Sequence, residues 1–333
     1  MQASLDLNLI ARVVRTESLY YHSGADPLLD QPAHVRAGSA LVRVGSKLAV
    51  IQDDANFIAL VELPGLRTEA LVLPAGPGGL RLFGDDRGNK ADKWDLEAAL
   101  SIEDAQGTTL VAFGSGSSAR RFYVVIVRWT SSNATPQVSV VHRPAFYQAL
   151  LDDRAFSGAA LNIEGAALSV DGQSVHLFQR GNGDLVDGVA PVNAVCTLDW
   201  APLHAHLLDA NEPLPRLRDV VQYALGSVGG VSLSFTDATN AGPHLIYCAA
   251  AEDTPDTYSD GPVVGTALGV ITGGETRYTP LLDAEDRPFL AKIEGVLLID
   301  EKRAFVVTDR DDPELPSQLC EVELDGPWFN GWV

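Results

Sequence analysis

The chain has 333 residues, 46% of them hydrophobic, with 30 Gly, 19 Pro and 3 Cys, a composition that excludes disordered, collagen-like and disulfide-scaffold classes and demands a substantial core. Twenty-four Lys and Arg face forty-four Asp and Glu, a formal charge of -20, which disfavours nucleic acid and anionic membrane as partners. No apolar run approaches the roughly 20 residues of a membrane-spanning helix. Residues 1–10 lack the cationic start and apolar stretch of a secretion signal, and Cys196, Cys248 and Cys320 have no C-x-x-C spacing, so the expected location is cytoplasmic.

Taken in chain order, residues 40–44, 47–51, 122–127, 174–178 and 304–308 are short runs rich in β-branched and aromatic residues, bounded by Gly, Asp, Asn or Ser. They read as strands. Residues 142–151 and 214–224 are the two helical candidates, too few for an alternating α/β chain. His204-Ala-His206 reads as two imidazoles on one strand face, a surface pair without a third ligand. Residues 252–261 form a long polar stretch whose length suits a lid or an interaction surface.

Internal repetition gives the architecture. Asp95-Leu-Glu97, Asn162-Ile-Glu164 and Lys292-Ile-Glu294 each set an acidic residue into an apolar strand, and Gly38-Ser39 and Val231-Ser232 fit the same frame with Ser in place of Glu. The steps between marked residues are 58, 67, 68 and 62, and a period of that length with four strands per copy is the signature of propeller blades. The fold class expected is all-β, a five-bladed β-propeller forming a single domain over residues 1–333. Only three strands remain after Glu294, so the N-terminal β-like stretch is expected to close the last blade and cover its edge.

Inner strands of a propeller line its channel, which would gather Ser39, Glu97, Glu164, Ser232 and Glu294 at one height. Carboxylates so placed need a cation or protons to offset their repulsion. Oxygen-only ligands favour Ca2+, with Mg2+ second. In this order the series Ser, Glu, Glu, Ser, Glu resembles that of the calcium-activated nucleotidases, or apyrases, five-bladed propellers that hold a central Ca2+. Residues 38–54, with a Ser-bearing strand and the pair Asp53-Asp54, look like that family's first repeat, and Lys292-Ile-Glu-Gly-Val296 looks like its last Glu strand. The likeness departs at Ala55-Asn56 and at the Gly114-Ser-Gly-Ser-Ser118 loop, where the family's nucleotide-recognition sequences are absent. The chain is also similar to uncharacterised bacterial propellers grouped with esterase-like phytases.

Loops on one face add a basic rim to this acidic protein. Lys93, Arg120, Arg121, Arg180 and Arg310 are the candidates for binding a small anionic molecule, since Arg offers a planar fork to phosphate or carboxylate. Asp53 and Asp54 are the candidates for general base. The function expected is a Ca2+-dependent hydrolase of a small phosphorylated or otherwise anionic substrate. Two rivals stand beside it: a non-catalytic ligand- or protein-binding propeller with a structural ion, and a lactonase- or esterase-like propeller, which calls for a more apolar pocket.

Overall fold

A computed structural model describes residues 1–130, 135–183, 185–253 and 261–329. Most of the polar stretch 252–261 thus lies outside the described residues. The chain is mostly β, and its arrangement is propeller-like.

Among the described residues, three antiparallel four-stranded sheets follow one another, each a simple meander. The first runs Gly38–Val44, Lys47–Gln52, Phe57–Glu62 and Arg67–Val72. The second runs Leu96–Asp104, Gly107–Gly114, Tyr123–Thr130 and Gln137–His142, and the third Ile163–Leu168, Ser174–Gln179, Asn193–Asp199 and Arg218–Tyr223. The remaining strands form one ten-stranded sheet. It contains a meander of Val231–Ala241, His244–Glu252, Val263–Ile271 and Thr276–Leu282, joined to another of Lys292–Asp300, Arg303–Asp309 and Gln318–Asp325. The N-terminal strand Ile10–Ser18 pairs antiparallel with Gln318–Asp325. It touches Thr276–Leu282 in parallel through only Ala11 and Arg12.

The first strand of each meander lies beside the first strand of the next, and Lys292–Asp300 returns to Gly38–Val44. Apolar residues of neighbouring meanders then interdigitate: Ala40, Ile51 and Ile58 pack with Leu96, Leu110 and Val125, while Phe113 and Val124 pack with Ile163, Val175 and Leu177. Each inner strand carries one extra residue where the pairing register slips, and the strand bends there. Those residues are Ser39, Glu97, Glu164, Thr236 and Glu294. Close approach of adjacent inner strands explains the Glu-Gly pairs. A Cβ on Gly165 would lie 2.9 Å from the backbone N of Ala238, and one on Gly295 2.9 Å from that of Leu41.

Two expectations of local structure change. Residues 142–151 do carry a helix, Pro144–Asp152, but the second candidate, 214–224, contains the strand Arg218–Tyr223. Its Val220, which packs on the third meander's core, is set by sheet pairing rather than helical period. His204 and His206 sit on the helix Trp200–Leu208, not on a strand, and point apart: His204 stacks on Trp200, whereas His206 is buried with Nδ1 against Glu212 O at 2.7 Å.

Candidate functional site: a charged axial cavity

The inner ends of the meanders enclose a cavity of about 550 Å³ whose lining is polar apart from Ala91. Recurring positions of the repeats feed it. The bulge supplies Glu97, Glu164 and Glu294; the residue two before it supplies Asp95, Asn162 and Lys292; and the last residue of the second strand, or the one after it, supplies Asp53, Arg180, Glu252 and Asp309.

Of the five residues expected to form a ring, the structure brings three together. Ser39 is buried outside the cavity, with its hydroxyl donating to Leu96 O at 2.6 Å. Ser232 is exposed and pairs with Ser227. The equivalent position in that repeat is Thr236, four residues on, also buried and with its hydroxyl on Cys248 Sγ at 3.3 Å. The Ser232 assignment placed the repeat on the wrong turn of an alternating run, because Ser232, Ser234 and Thr236 all share one face.

Protein cations already compensate the carboxylates. Arg180 reaches Glu164 at 3.3 Å and Glu294 at 3.6 Å through Nη1, and binds Glu252 through Nη2. Lys292 lies 3.0 Å from Glu294 and 3.2 Å from Asp311. Lys93 bridges Asp53 and Asp95, the latter at 2.6 Å. A Ca2+ held by the expected five-residue ring does not fit this arrangement, since two of its ligands point elsewhere and Arg180 and Lys292 already pair with Oε1 of Glu164 and of Glu294.

Glu97 stands apart. It is only 9% exposed, lines the cavity, and makes no side-chain hydrogen bond or ion pair among the described residues. Burial, then the nearby Asp53, Asp95, Glu164 and Glu294, push its carboxyl well above the ordinary range, which favours its protonated form. Burial likewise lifts Glu164 to about 8 and Glu294 to about 7 against the pull of Arg180 and Lys292. Asp95 goes the other way. Burial raises it, but Lys93 and Arg121 outweigh that and hold it ionised, with the Ser115 hydroxyl bonded to its Oδ2. Its backbone is left-handed at φ 58°, a conformation Asp tolerates better than most residues. Asp53, Asp95 and Glu97 each offer a carboxylate oxygen within 4.8 Å of the others, a group that could hold a metal ion.

The other expected residues divide. Lys93, Arg121 and Arg180 line the cavity, and Arg121 bonds Asp95 at 2.8 Å and the Ser117 hydroxyl at 2.7 Å. Arg120 lies at the rim, 71% exposed. Arg310 does not reach the cavity and lines a separate outer depression instead. Asp54 is also outside it: it pairs with Arg36 at 2.5 Å in an adjoining side pocket, its carboxyl lifted by burial and by Asp53 to about 6. Sequence reasoning missed Asp95, Asn162, Glu252 and Lys292. The signal for three of them was present, since each precedes a marked Glu by two residues and shares its face.

A family model described as "Family of unknown function (DUF6929)" matches residues 34–324. The chain belongs to that family. Its resemblance to the calcium-activated nucleotidases is therefore one of general architecture. No curated protein matches the chain. Among solved structures, it is similar to the PQQ-bound aldose sugar dehydrogenase of Streptomyces coelicolor, at 13% identity and a TM-score of 0.48, covering 97% of this chain and 100% of that one. It is also similar to the GH43 endo-arabinanase of Bacillus licheniformis, at 10% identity and a TM-score of 0.42, covering 92% and 96%. No helix among the described residues is long and apolar enough to cross a membrane.

Proposed function

We propose that residues 1–333 form one five-bladed propeller, its ten-stranded sheet being two blades joined by the two-residue parallel contact, and that the axial cavity is the active site of a hydrolase for a small anionic substrate. The observation that carries this reading is Glu97, a buried carboxyl group without a side-chain partner among the described residues, beside the ionised Asp95 and the Lys93-bound Asp53. Pairs of carboxyl groups whose surroundings push their protonation apart are the working parts of acid–base hydrolysis. Of the two expected bases, Asp53 fits better than Asp54: Asp53 lines the cavity and its Oδ1 is buried with no hydrogen-bond partner among the described residues, whereas Asp54 lies outside the cavity.

In this mechanism Asp53 takes a proton from a water as the water oxygen bonds to the phosphoryl or carbonyl centre. Glu97 gives its proton to the leaving oxygen as the ester bond breaks. Lys93, bound to Asp53, orients it, and Arg121 and Arg120 at the rim receive the substrate's anionic group. The polar lining favours such a substrate over the apolar one a lactonase-type pocket would take. Phosphate release and ester cleavage across a panel of small phosphoesters and anionic esters test the reading. A substrate whose turnover falls about 10²–10⁴-fold in Glu97→Gln, the usual range for a lost acid, is the expected result; turnover indifferent to Glu97 would sink it.

A second reading is favoured by the 4.8 Å grouping of Asp53, Asp95 and Glu97. Three hard oxygen donors suit Ca2+ better than a softer ion, and one of them, Glu97, has no side-chain partner among the described residues. Bound there, such a cation would polarise the substrate oxygen and acidify a water. Metal-stripped protein whose activity returns only with Ca2+ would favour this version.

A further inference from the structure

Another part of the cavity wall has a different deficit. Among the described residues, three of its buried polar atoms have no hydrogen-bond partner: Glu252 Oε1, Asn182 Oδ1 and Arg180 Nε. All three residues line the axial cavity. The Glu252 and Arg180 side chains are 4% and 6% exposed and are bonded to each other through Oε2 and Nη2, so they form a fixed edge with unused groups beside the bond. The nearest cation to Glu252 Oε1 is Lys292 Nζ, at 3.6 Å, too far for a hydrogen bond.

Two of these atoms accept and one donates. That mixture selects the chemistry of an occupant. A phosphate or carboxylate only accepts, so it would leave Glu252 Oε1 and Asn182 Oδ1 unmet and would meet the charge of Glu252 and Glu294. An ammonium only donates, so it would leave Arg180 Nε unmet beside two cations already in place. A hydroxyl does both. Adjacent hydroxyls on one frame can accept from Arg180 Nε while donating to Glu252 and Asn182.

We infer that this wall is a subsite for a polyhydroxylated group, so that the substrate is a sugar or cyclic polyol bearing its anionic group toward Arg120 and Arg121. The inference rests on the axial cavity being the substrate site and adds the class of molecule it takes. Hydroxyls held on the Arg180–Glu252 edge would anchor the substrate in the same cavity that Glu97 and Asp53 line.

The test reads binding without turnover, so it stands apart from the hydrolase assay. In full-length 15N-labelled protein, the Arg180 Nε–H signal, assigned with Arg180→Lys, is followed during titration with myo-inositol, D-glucose, inorganic phosphate and ethylammonium. A saturable shift with either polyol, weakened roughly five- to tenfold in Asn182→Ala as one buried hydrogen bond is lost, is expected. Asn182 is half-buried in a loop, so that variant should keep the fold, and an unchanged spectrum elsewhere verifies it. A shift with phosphate or ethylammonium but not with polyols would overturn the subsite, as would no shift with any probe, which would mean that the three atoms are hydrated. Hydrolase activity without polyol binding would remove this inference and leave the proposed reaction standing; polyol binding without hydrolysis would do the reverse.

Discussion

Glu97 and its neighbours show how burial and pairing set the behaviour of chemically identical groups. Glu164 and Glu294 are paired with Arg180 and Lys292 yet remain lifted to about 8 and about 7, because burial outweighs the pull of the cations. A carboxyl raised in the fold above its unfolded value of 4.5 lends stability that is complete below that value and is lost as pH climbs through the folded one. Thermal unfolding is therefore expected to move to lower temperature between about pH 4.5 and 8, and Glu164→Gln, which cannot ionise, should flatten that decline. Scanning calorimetry across the window checks it; a melting temperature that rises from pH 5 to 8 would contradict it. The marked glutamates were legible in the sequence because an acid in an apolar strand is conspicuous. That Arg180 and Lys292 act as their counter-charges was not, since Arg180 reaches Glu294 and Glu252 of other repeats only through the closed ring.

At the level of strands and turns, the inner-strand bulge is the device that aims these side chains. It inserts one residue per repeat, so Glu97, Glu164 and Glu294 turn inward while the apolar alternation continues on either side. Gly295 lets the neighbouring strand approach: an added Cβ would meet Val307 Cγ1 at 2.6 Å and Leu41 N at 2.9 Å. Gly295→Ala is expected to cost about 1–3 kcal/mol, the range for overpacking a core, read as a lower midpoint in urea. The corrected repeat gives a matched pair. Ser232→Ala, on an exposed edge, should stay within about 0.5 kcal/mol, while Thr236→Ala, fully buried with its hydroxyl bonded, should cost about 1 kcal/mol or more; equal effects would return the repeat to Ser232. Strands such as Lys47–Gln52 and Ser174–Gln179 were legible within a residue from β-branched runs between turn residues. Arg218–Tyr223 was not, because the preceding Leu214 and Leu217 imitate helical spacing while pairing with Asn193–Asp199 decides its form.

The whole molecule depends on joining its two ends. Ile10–Ser18 fills the outer position beside Gln318–Asp325, where an open edge would otherwise invite pairing with another chain. Val13 is buried in that join, packed with Val306, Val322 and the Trp328 cluster, whereas Leu7 is 82% exposed. Val13→Asp buries an unpaired charge and should lower the unfolding free energy by more than about 3 kcal/mol, with Leu7→Asp as a neutral control. Circular dichroism melts of the two variants distinguish them; similar losses would mean that the closing strand contributes little. The repeat period and the spare N-terminal stretch made this arrangement legible, and Lys93, Arg121 and Arg180 stood out as a basic cluster in a chain of net charge -20, but their pairing, with Lys292, to the axial carboxylates did not.

The central claim is that Glu97 is a buried acid poised at the axis, and its protonation can be measured without knowing the substrate. Metal-stripped protein labelled with 13C at the Glu side-chain carboxyl carbons, titrated by NMR with Glu97→Gln to assign the signal, reads it directly. The account predicts that the Glu97 carboxyl is still protonated at neutral pH and titrates well above 4.5, with added Ca2+ displacing the proton only if the three-carboxylate grouping binds the ion. A Glu97 signal that titrates in the ordinary carboxylate range would contradict the account, because the cavity would then hold no acid to give its proton to a leaving group.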